Sequence, residues 1–236
     1  MTIFWKPSMT PGARYRLPIL LVTAVLLLNG VFLAIVFAPT HEDMGDIQRI
    51  FYFHVASAWI AYVAFAVTFG ASVMYMRTED LDWDDWAVSS AEIGVVFTTL
   101  TILTGPMWAR VVWHQFWYWN DLKLTMTLVL WLVFIAYLVV RANVPSRRTK
   151  ATLSGVFSVI GIICVPLSFA ANRIWSTIHP TVLASEQGSI VTGEMVPALV
   201  VAVVAMTLLY ATLLLQRVGV SRLRGRVEGL KHGTGD

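Results

Sequence analysis

Two histidines in this chain of 236 residues are candidates for binding a metal centre. His54 lies inside a long apolar run, and His179 follows the fifth apolar run of the sequence. A polar side chain in an apolar membrane span is costly and usually functional, although an interhelical hydrogen bond would also account for a lone histidine. Because imidazole is the common axial ligand of haem iron, the two histidines could hold such a centre from opposite faces.

A dense group of aromatic residues lies between the two histidines, in the stretch 105–125, GPMWARVVWHQFWYWNDLKLT. Tryptophan and tyrosine concentrate at membrane interfaces, so an interfacial belt is one explanation. A tryptophan-dense surface without a partner would be an adhesive apolar patch, so a platform for a large, flat, apolar ligand is the other explanation. The aromatic members are Trp108, Trp113, Phe116, Trp117, Tyr118 and Trp119.

Two basic residues of this stretch stand on either side of its densest aromatic part, residues 113–119. Arg110 and Lys123 bracket it, and haem carries two carboxylates that guanidinium and ammonium groups can bind. Both cations could instead extend to lipid headgroups. The other histidines give weaker signals: His41 and His232 are expected to be solvated, and His114 within the aromatic stretch has no assigned role.

Composition identifies the class of protein that must position these side chains. Hydrophobic residues make up 57% of the chain and charged residues 13%, with a mean hydropathy of +0.70, whereas soluble domains carry about 25% charged residues. The single cysteine, Cys164, excludes an intramolecular disulfide and a cysteine-rich metal site. A net charge of +3 suits membrane orientation, so nucleic acid is not a predicted partner. The chain is predicted to be an integral membrane protein.

Six stretches reach the roughly 20 apolar residues that a membrane helix needs. Barrel strands would alternate polar and apolar residues, and these stretches do not. The predicted fold is therefore an all-α, polytopic membrane protein with a single domain over 1–236. The first span is longer than the apolar core of a signal peptide and is expected to stay. The predicted spans are 17–38, 51–76, 86–105, 124–140, 151–171 and 195–216, with a basic tail at 217–236.

The distribution of Lys and Arg predicts the orientation. With both termini in the cytoplasm, thirteen of these residues lie inside and four outside, namely Arg49, Arg110, Lys123 and Arg173. The two candidate histidines and the aromatic stretch then share the outer side. The tail is expected to contact anionic lipid, and Glu92 in the third span is expected to be a packed, hydrogen-bonded acid.

Several motifs in order resemble the cytochrome c maturation haem-handling family CcmC. They are FYFHVASAWIAY, SSAEIGVVFTTLTILTGPMWAR, the aromatic stretch, LVLWLVFIAYLVVR and RIWSTIHPTVL, which together cover about residues 50–183. That family belongs to a superfamily marked by a tryptophan-rich "WWD" loop on the outer membrane face. Members bind haem there and present it to a periplasmic haem chaperone.

The resemblance implies roles for particular residues. His54 and His179 match the family's two axial histidines, and Trp113, Trp117 and Trp119 match its loop. Arg110 and Lys123 become candidates for the haem propionates. The family's acidic loop position falls on either Asn120 or Asp121, because one extra residue follows Trp119 here. Other departures are Ala56 in place of a proline, Phe116 in place of a tryptophan and His114 in place of a small residue.

The resemblance also implies a cargo, partners and a location. The haem would be b-type, non-covalently held and transient, and the protein would be an assembly factor with no catalytic residue. Its partners would be the haem chaperone, the ABC transporter subunits and a small membrane protein of the same system, together with membrane lipid. The location would be the bacterial inner membrane.

Other functions remain open on the sequence alone. An ABC-type or small-molecule permease subunit without haem would need midplane polar residues or broken helices, for which only Pro166 and Glu92 are candidates. The sequence has no nucleotide-binding P-loop, so an ATP-driven step would belong to another chain. An electron-transfer cytochrome b would pair histidines within spans, and no span here has two. A structural scaffold would leave His54 and His179 dispensable.

Overall fold

The structure is a computed structural model that describes residues 13–41, 44–174, 177–179, 193 and 195–231. Within those residues the regular structure is helical, apart from an isolated bridge between His41 and Gly45. A π-helical turn, Leu33–Phe37, extends α1, and a 3₁₀ turn, Asp46–Arg49, precedes α2. The helices are α1 Ala13–Phe32, α2 Ile50–Thr78, α3 Leu81–Val112, α4 Leu122–Asn143, α5 Arg147–Ile174 and α6 Val196–Lys231.

All six helices are long and apolar enough to cross a membrane, which confirms the predicted all-α, six-span class. Several of them extend beyond the apolar stretches on which the predicted spans rest. The third span was predicted to end at residue 105, but α3 continues to Val112, so Trp108 and Arg110 lie on a helix. The predicted tail is also helical as far as Lys231, because α6 continues through it.

Capping side chains set the helix ends that hydropathy could not locate. Asp80 precedes α3, and its side chain accepts a hydrogen bond from the backbone nitrogen of Asp82 at 2.9 Å. Asp121 does the same for α4, accepting from the nitrogen of Leu124 at 3.1 Å. An aspartate at this position satisfies a backbone donor that the helix leaves unpaired. The connection between α3 and α4 is thereby reduced to 113–121.

The α2–α3 pair forms the centre of the bundle. Helix α6 packs on α1, α2 and α3, and α5 packs on α2 and α4. Close approach depends on small residues: a Cβ at Gly94 would stand 2.6 Å from the Phe65 ring. Phe65 in turn stacks on Phe134 of α4 with ring centres 3.8 Å apart. Small residues let membrane helices pack through dispersion contacts, which drive their association.

One end of the bundle, which we call the ion-pair end, contains the α2–α3 and α4–α5 turns. Arg141 donates to both carboxylate oxygens of Asp84, at 2.6 and 2.8 Å, and the two side chains are only 11% and 3% exposed. Arg147 donates to Asp85 at 2.9 Å, and the Ser221 hydroxyl donates to the same carboxylate at 2.6 Å. These bonds join the start of α3 to α4, α5 and α6.

Glu92 of α3 lies further into the bundle and accepts from Arg217 of α6 at 2.5 and 2.8 Å. The expectation of a packed, hydrogen-bonded acid is therefore confirmed. The opposite end of the bundle, which we call the site end, contains His54, the α3–α4 connection, residues 177–179 and the start of α6.

Candidate functional site

His54 is fixed in orientation by α3. Its Nδ1 lies 2.9 Å from the hydroxyl oxygen of Thr104. That hydroxyl also lies 2.7 Å from the carbonyl of Leu100, which can only accept, so its one hydrogen goes to Leu100. Thr104 therefore accepts from the Nδ1–H of His54. In this tautomer the ring's Nε2 keeps its lone pair, which is the form that ligates a metal.

Helix α3 makes room for the His54 ring at Gly105. A Cβ on Gly105 would stand 3.1 Å from Cε1 of His54, which is closer than ordinary packing allows. The next residue, Pro106, lies inside the helix and has no N–H for the helical hydrogen bond to the preceding turn. Both residues line the cavity described below.

The His179 ring faces the site from the described segment 177–179. Its centre lies 6.5 Å from that of His54, with 31° between the ring planes. It also lies 6.3 Å from the ring centre of Trp113, in an edge-to-face arrangement. When two imidazoles bind the same metal ion from opposite sides, each ring nitrogen lies about 2 Å from the ion, and the ring centres are about 6 Å apart. The spacing thus suits one metal ion between the rings.

A cavity of about 500 Å³ surrounds the two histidines. It is bounded mainly by α2, α3 and α6, with contributions from α4, α5 and the α3–α4 connection. Its walls are almost entirely apolar and aromatic, with few polar groups, which is the usual make-up of a small-molecule site. Six residues show the extent of the lining: Phe51, Trp59, Tyr62, Phe169, Leu199 and Val204.

Aromatic residues of α3 and the connection form the site-end wall of this cavity. Trp108, Trp113, Phe116 and Trp117 all line it, and Trp108 packs edge-to-face on Trp113 with ring centres 5.1 Å apart. The indole nitrogens of Trp108 and Trp117 are buried, and neither has a hydrogen-bond partner among the described residues. A buried donor without a partner is costly, so these groups favour a ligand that brings acceptor atoms.

Two of the predicted aromatic residues, Tyr118 and Trp119, do not line the cavity, and Phe116 lies at its edge. Trp119 is 71% exposed and packs against Trp117, with ring centres 5.9 Å apart. Tyr118 is half-buried and does not contribute to the lining. Phe116 contributes to the lining but is 61% exposed. The aromatic stretch therefore divides into a part that lines the cavity and a rim that faces outward.

The two predicted propionate cations occupy different positions. Lys123, in the first turn of α4, lines the cavity. Arg110 does not, because its guanidinium donates to the carbonyl of His114 at 2.7 Å and lies 5.6 Å from the ring centre of Phe116. His114 adopts a left-handed conformation with φ of 58°. Arg110 thus holds the first turn of the connection in shape.

Of the two candidates for the acidic loop position, Asp121 makes the contacts. Its side chain is almost fully buried, at 1% exposure, whereas Asn120 is exposed. Besides capping α4, the carboxylate accepts from the backbone nitrogen of Ile178 at 3.0 Å and from the hydroxyl of Thr177. Asp121 therefore joins the start of α4 to the segment that carries His179.

The remaining charged and histidine candidates lie elsewhere. Arg49 donates to Asp46 and to the carbonyls of Ala34 and Ile35 in the π-helical turn that extends α1, so it satisfies acceptors at the end of that helix. His114 is exposed. The Arg173 side chain, His232 and most of the predicted outer segment at 172–194 lie outside the described residues.

Sequence reasoning missed Thr104, Gly105 and Thr177. The first two stand directly before Pro106 on α3, but nothing in their spacing relates them to His54 on α2. Thr177 stands two residues before His179, a short distance over which a hydroxyl often bonds the backbone. That local pattern was the one signal that the sequence offered.

Comparison with known proteins gives a consistent result. The sequence model of the CcmC family, described as "Heme exporter protein C", matches residues 7–232. The chain is 30% identical to the Heme exporter protein C of Bradyrhizobium diazoefficiens, over 89% of this chain and 79% of that one. It is 26% identical to the Haemophilus influenzae protein of the same name, over 93% of each chain. A ccmC-like mitochondrial protein of Marchantia polymorpha, whose name refers to cytochrome c biosynthesis, is 29% identical over 68% of this chain and 67% of that one.

Proposed function

This chain belongs to the heme exporter protein C family, a group of multi-pass proteins of the bacterial inner membrane, and from that premise we propose that its cavity binds haem between His54 and His179. The protein then serves as a transport and assembly component that delivers haem for cytochrome c maturation. The observation that carries the proposal is the 6.5 Å spacing of the two imidazole rings within one apolar cavity.

The chemistry of the two ligands supports haem as the cargo. Two histidine nitrogens fill two positions on an iron ion and leave the others to the porphyrin nitrogens. The Thr104 contact supports Nε2 of His54 as the iron ligand. With both axial positions filled, no position stays open for oxygen, which suits storage and transfer rather than catalysis.

The walls of the cavity match the surface of haem. Trp108, Trp113 and Trp117 offer flat apolar faces to the macrocycle. Lys123 offers the cavity a cation for a propionate, and the unpaired indole N–H groups of Trp108 and Trp117 offer further donors. We assign no propionate contact to Arg110. The cavity lining includes no cysteine, so the haem is held without the thioether bonds of c-type attachment.

The exposed rim is the surface from which haem leaves. Phe116 at the edge of the cavity and Trp119 outside it are both largely exposed, and exposed aromatic groups favour a protein partner. We assign this rim to a periplasmic haem chaperone, which docks there and removes the haem. The ABC transporter subunits and the small membrane protein of the same system complete the set of proposed protein partners.

The proposed orientation places the site end outside the cytoplasm. Thirteen of the seventeen Lys and Arg residues then lie inside, as the distribution of charge in membrane proteins requires. Because Cys164 is buried, a cysteine introduced at Trp119 can be labelled selectively. A membrane-impermeant maleimide should label Trp119→Cys in intact spheroplasts and leave Arg226→Cys unlabelled; the reverse pattern would invert the orientation.

The test of haem binding is an absorption spectrum of the purified protein in detergent, oxidised and reduced, after haem is added. We expect a low-spin spectrum in the wild type that is lost or converted to high-spin in His54→Ala and in His179→Ala. His114→Asn is the matched control, since His114 is exposed and asparagine tolerates its positive φ. A wild type that binds no haem would contradict the proposal and favour a permease subunit without haem.

A further inference from the structure

The Asp121 carboxylate is a buried junction between two segments of the site end. One segment is the first turn of α4, where the backbone nitrogen of Leu124 donates to Oδ1 at 3.1 Å. The other is the segment 177–179, where the Thr177 hydroxyl and the Ile178 nitrogen both donate to Oδ2. The carboxylate is 1% exposed, so three donors replace water around it.

This junction continues to the backbone of His179. The nitrogen of His179 donates to the Thr177 hydroxyl oxygen at 3.1 Å, while the hydrogen of that hydroxyl goes to Asp121. A series of hydrogen bonds thus leads from the start of a transmembrane helix to the backbone of the histidine. Hydrogen bonds to a carboxylate are shorter and stronger than neutral ones, so this series holds the segment firmly.

The two histidines differ in how their positions are fixed. His54 lies on α2, a helix of 29 residues packed at the centre of the bundle. His179 lies in the segment 177–179, which has no helical hydrogen bonds. The position of this segment relative to the bundle therefore depends on side-chain contacts. The same α4 turn that contains the anchor for this segment also places Lys123 in the cavity wall.

We propose that Asp121 is a positioning residue that sets the separation of the His179 and His54 rings by holding Thr177 and Ile178 against the start of α4. The proposal rests on the proposed function, because ring separation matters only if both imidazoles bind the same iron. Asp121 does not touch the cavity. Its negative charge strengthens the hydrogen bonds from Thr177 and Ile178. The cap that it forms on α4 is a separate contribution.

The substitution Asp121→Asn separates these two contributions. Asparagine caps helices about as well as aspartate, but its amide presents one acceptor oxygen and no negative charge, so the bonds to Thr177 and Ile178 are weakened. Thr177→Val removes the hydroxyl that links Asp121 to the His179 nitrogen, and Thr177→Ser restores a hydroxyl. The matched control is Asp80→Asn, which changes the N-cap aspartate of α3 at the ion-pair end.

The readout is the spin state of bound haem in the purified full-length protein, together with its affinity for added haem. We expect Asp121→Asn and Thr177→Val to convert low-spin haem to a high-spin or mixed form and to weaken haem binding about tenfold. Thr177→Ser and Asp80→Asn should keep the wild-type spectrum. Added imidazole should restore the low-spin spectrum of Asp121→Asn, as it should for His179→Ala, because the vacated position on the iron accepts it.

Each outcome has one meaning. If the wild type is low-spin and both Asp121→Asn and Thr177→Val keep its spectrum and affinity, the positioning role is wrong and the proposed function stands. If Asp80→Asn causes the same loss as Asp121→Asn, the effect comes from helix stability and the positioning role is again wrong. A wild type without a histidine-dependent haem spectrum would overturn the proposed function and this inference with it.

Discussion

The rings of His54 and His179 lie with their centres 6.5 Å apart across a single apolar cavity, although one belongs to a central helix and the other to an irregular segment. Each histidine has a threonine contact: Thr104 accepts from the imidazole ring of His54, and Thr177 accepts from the backbone nitrogen of His179. The two candidate ligands thus have supporting hydrogen-bond contacts, as metal-binding histidines usually do.

Removal of the Thr104 hydroxyl should weaken haem binding. Thr104→Val keeps the shape of the side chain but removes the hydroxyl that accepts from the Nδ1–H of His54, so the tautomer and orientation of the ring are less firmly fixed. We expect a loss of affinity of about 10- to 100-fold, the range seen for such supporting contacts, measured by haem titration in detergent. Thr104→Ser should bind like the wild type; an equal loss in the serine variant would contradict the hydrogen-bond explanation.

A methyl group at Gly105 should displace His54. The new Cβ would stand 3.1 Å from Cε1 of the imidazole, so the ring must shift away from α3 by a few tenths of an ångström. We expect Gly105→Ala to lose the low-spin haem spectrum while the protein stays folded. Gly70→Ala on α2 is the control, because nothing lies within 4 Å of its added Cβ; its spectrum should not change. An unaltered spectrum in Gly105→Ala would show that the ring tolerates the shift.

Lys123 should discriminate between haem and its dimethyl ester. Lys123→Gln removes the cation in the cavity wall, so binding of haem with free propionates should weaken by about 1.5–3 kcal/mol, the value of a hydrogen bond to a charged group. Binding of the dimethyl ester, which lacks those charges, should change little. Arg110→Gln should not show this discrimination, since Arg110 binds the His114 carbonyl. Equal losses for both ligands in Lys123→Gln would exclude a propionate contact.

The buried ion pair at the ion-pair end should contribute to stability and not to haem binding. Asp84→Asn leaves Arg141, whose side chain is 11% exposed, without its charged partner, and breaking a buried pair costs about 3–5 kcal/mol. For a chain of this size we expect the Tm in detergent to fall by about 10 °C. Glu79→Gln, which breaks the exposed pair with Arg148, should cost less than about 1 kcal/mol. Similar losses in both variants would contradict the importance of burial.

The exposed rim should affect transfer more than binding. Trp119→Ala removes a side chain that is 71% exposed and lies outside the cavity, so haem affinity should stay close to that of the wild type. Transfer of haem to the purified periplasmic chaperone should slow by about tenfold, because loss of an aromatic side chain that contacts the partner weakens docking by about that factor. Trp117→Ala, which opens the cavity wall, should instead weaken haem binding itself. A Trp119→Ala variant that transfers haem at the normal rate would contradict the docking role.

Local properties of the sequence were enough to identify the class of fold and to nominate the residues of the candidate site. Six apolar runs predict six spans, because the length of a run and its lack of charge are properties of neighbouring residues. Residue types also indicated the cavity: both histidines and most of the aromatic stretch are found there. Several helices continue past the predicted spans, as at Trp108 and Arg110 of α3, because the end of an apolar run does not mark where the backbone leaves the helix.

Tertiary structure alone decided which side chains meet. The membrane helices are apolar on nearly every side, so sequence periodicity does not reveal which face of α2 turns His54 towards Thr104. The sequence could not choose between Asn120 and Asp121, because the choice depends on the fold that brings Thr177 and Ile178 to the start of α4. Nor could it separate Trp117 in the wall from Trp119 on the rim. Composition and run length are encoded locally, whereas contacts between distant segments depend on helix rotation and packing, which only the assembled bundle fixes.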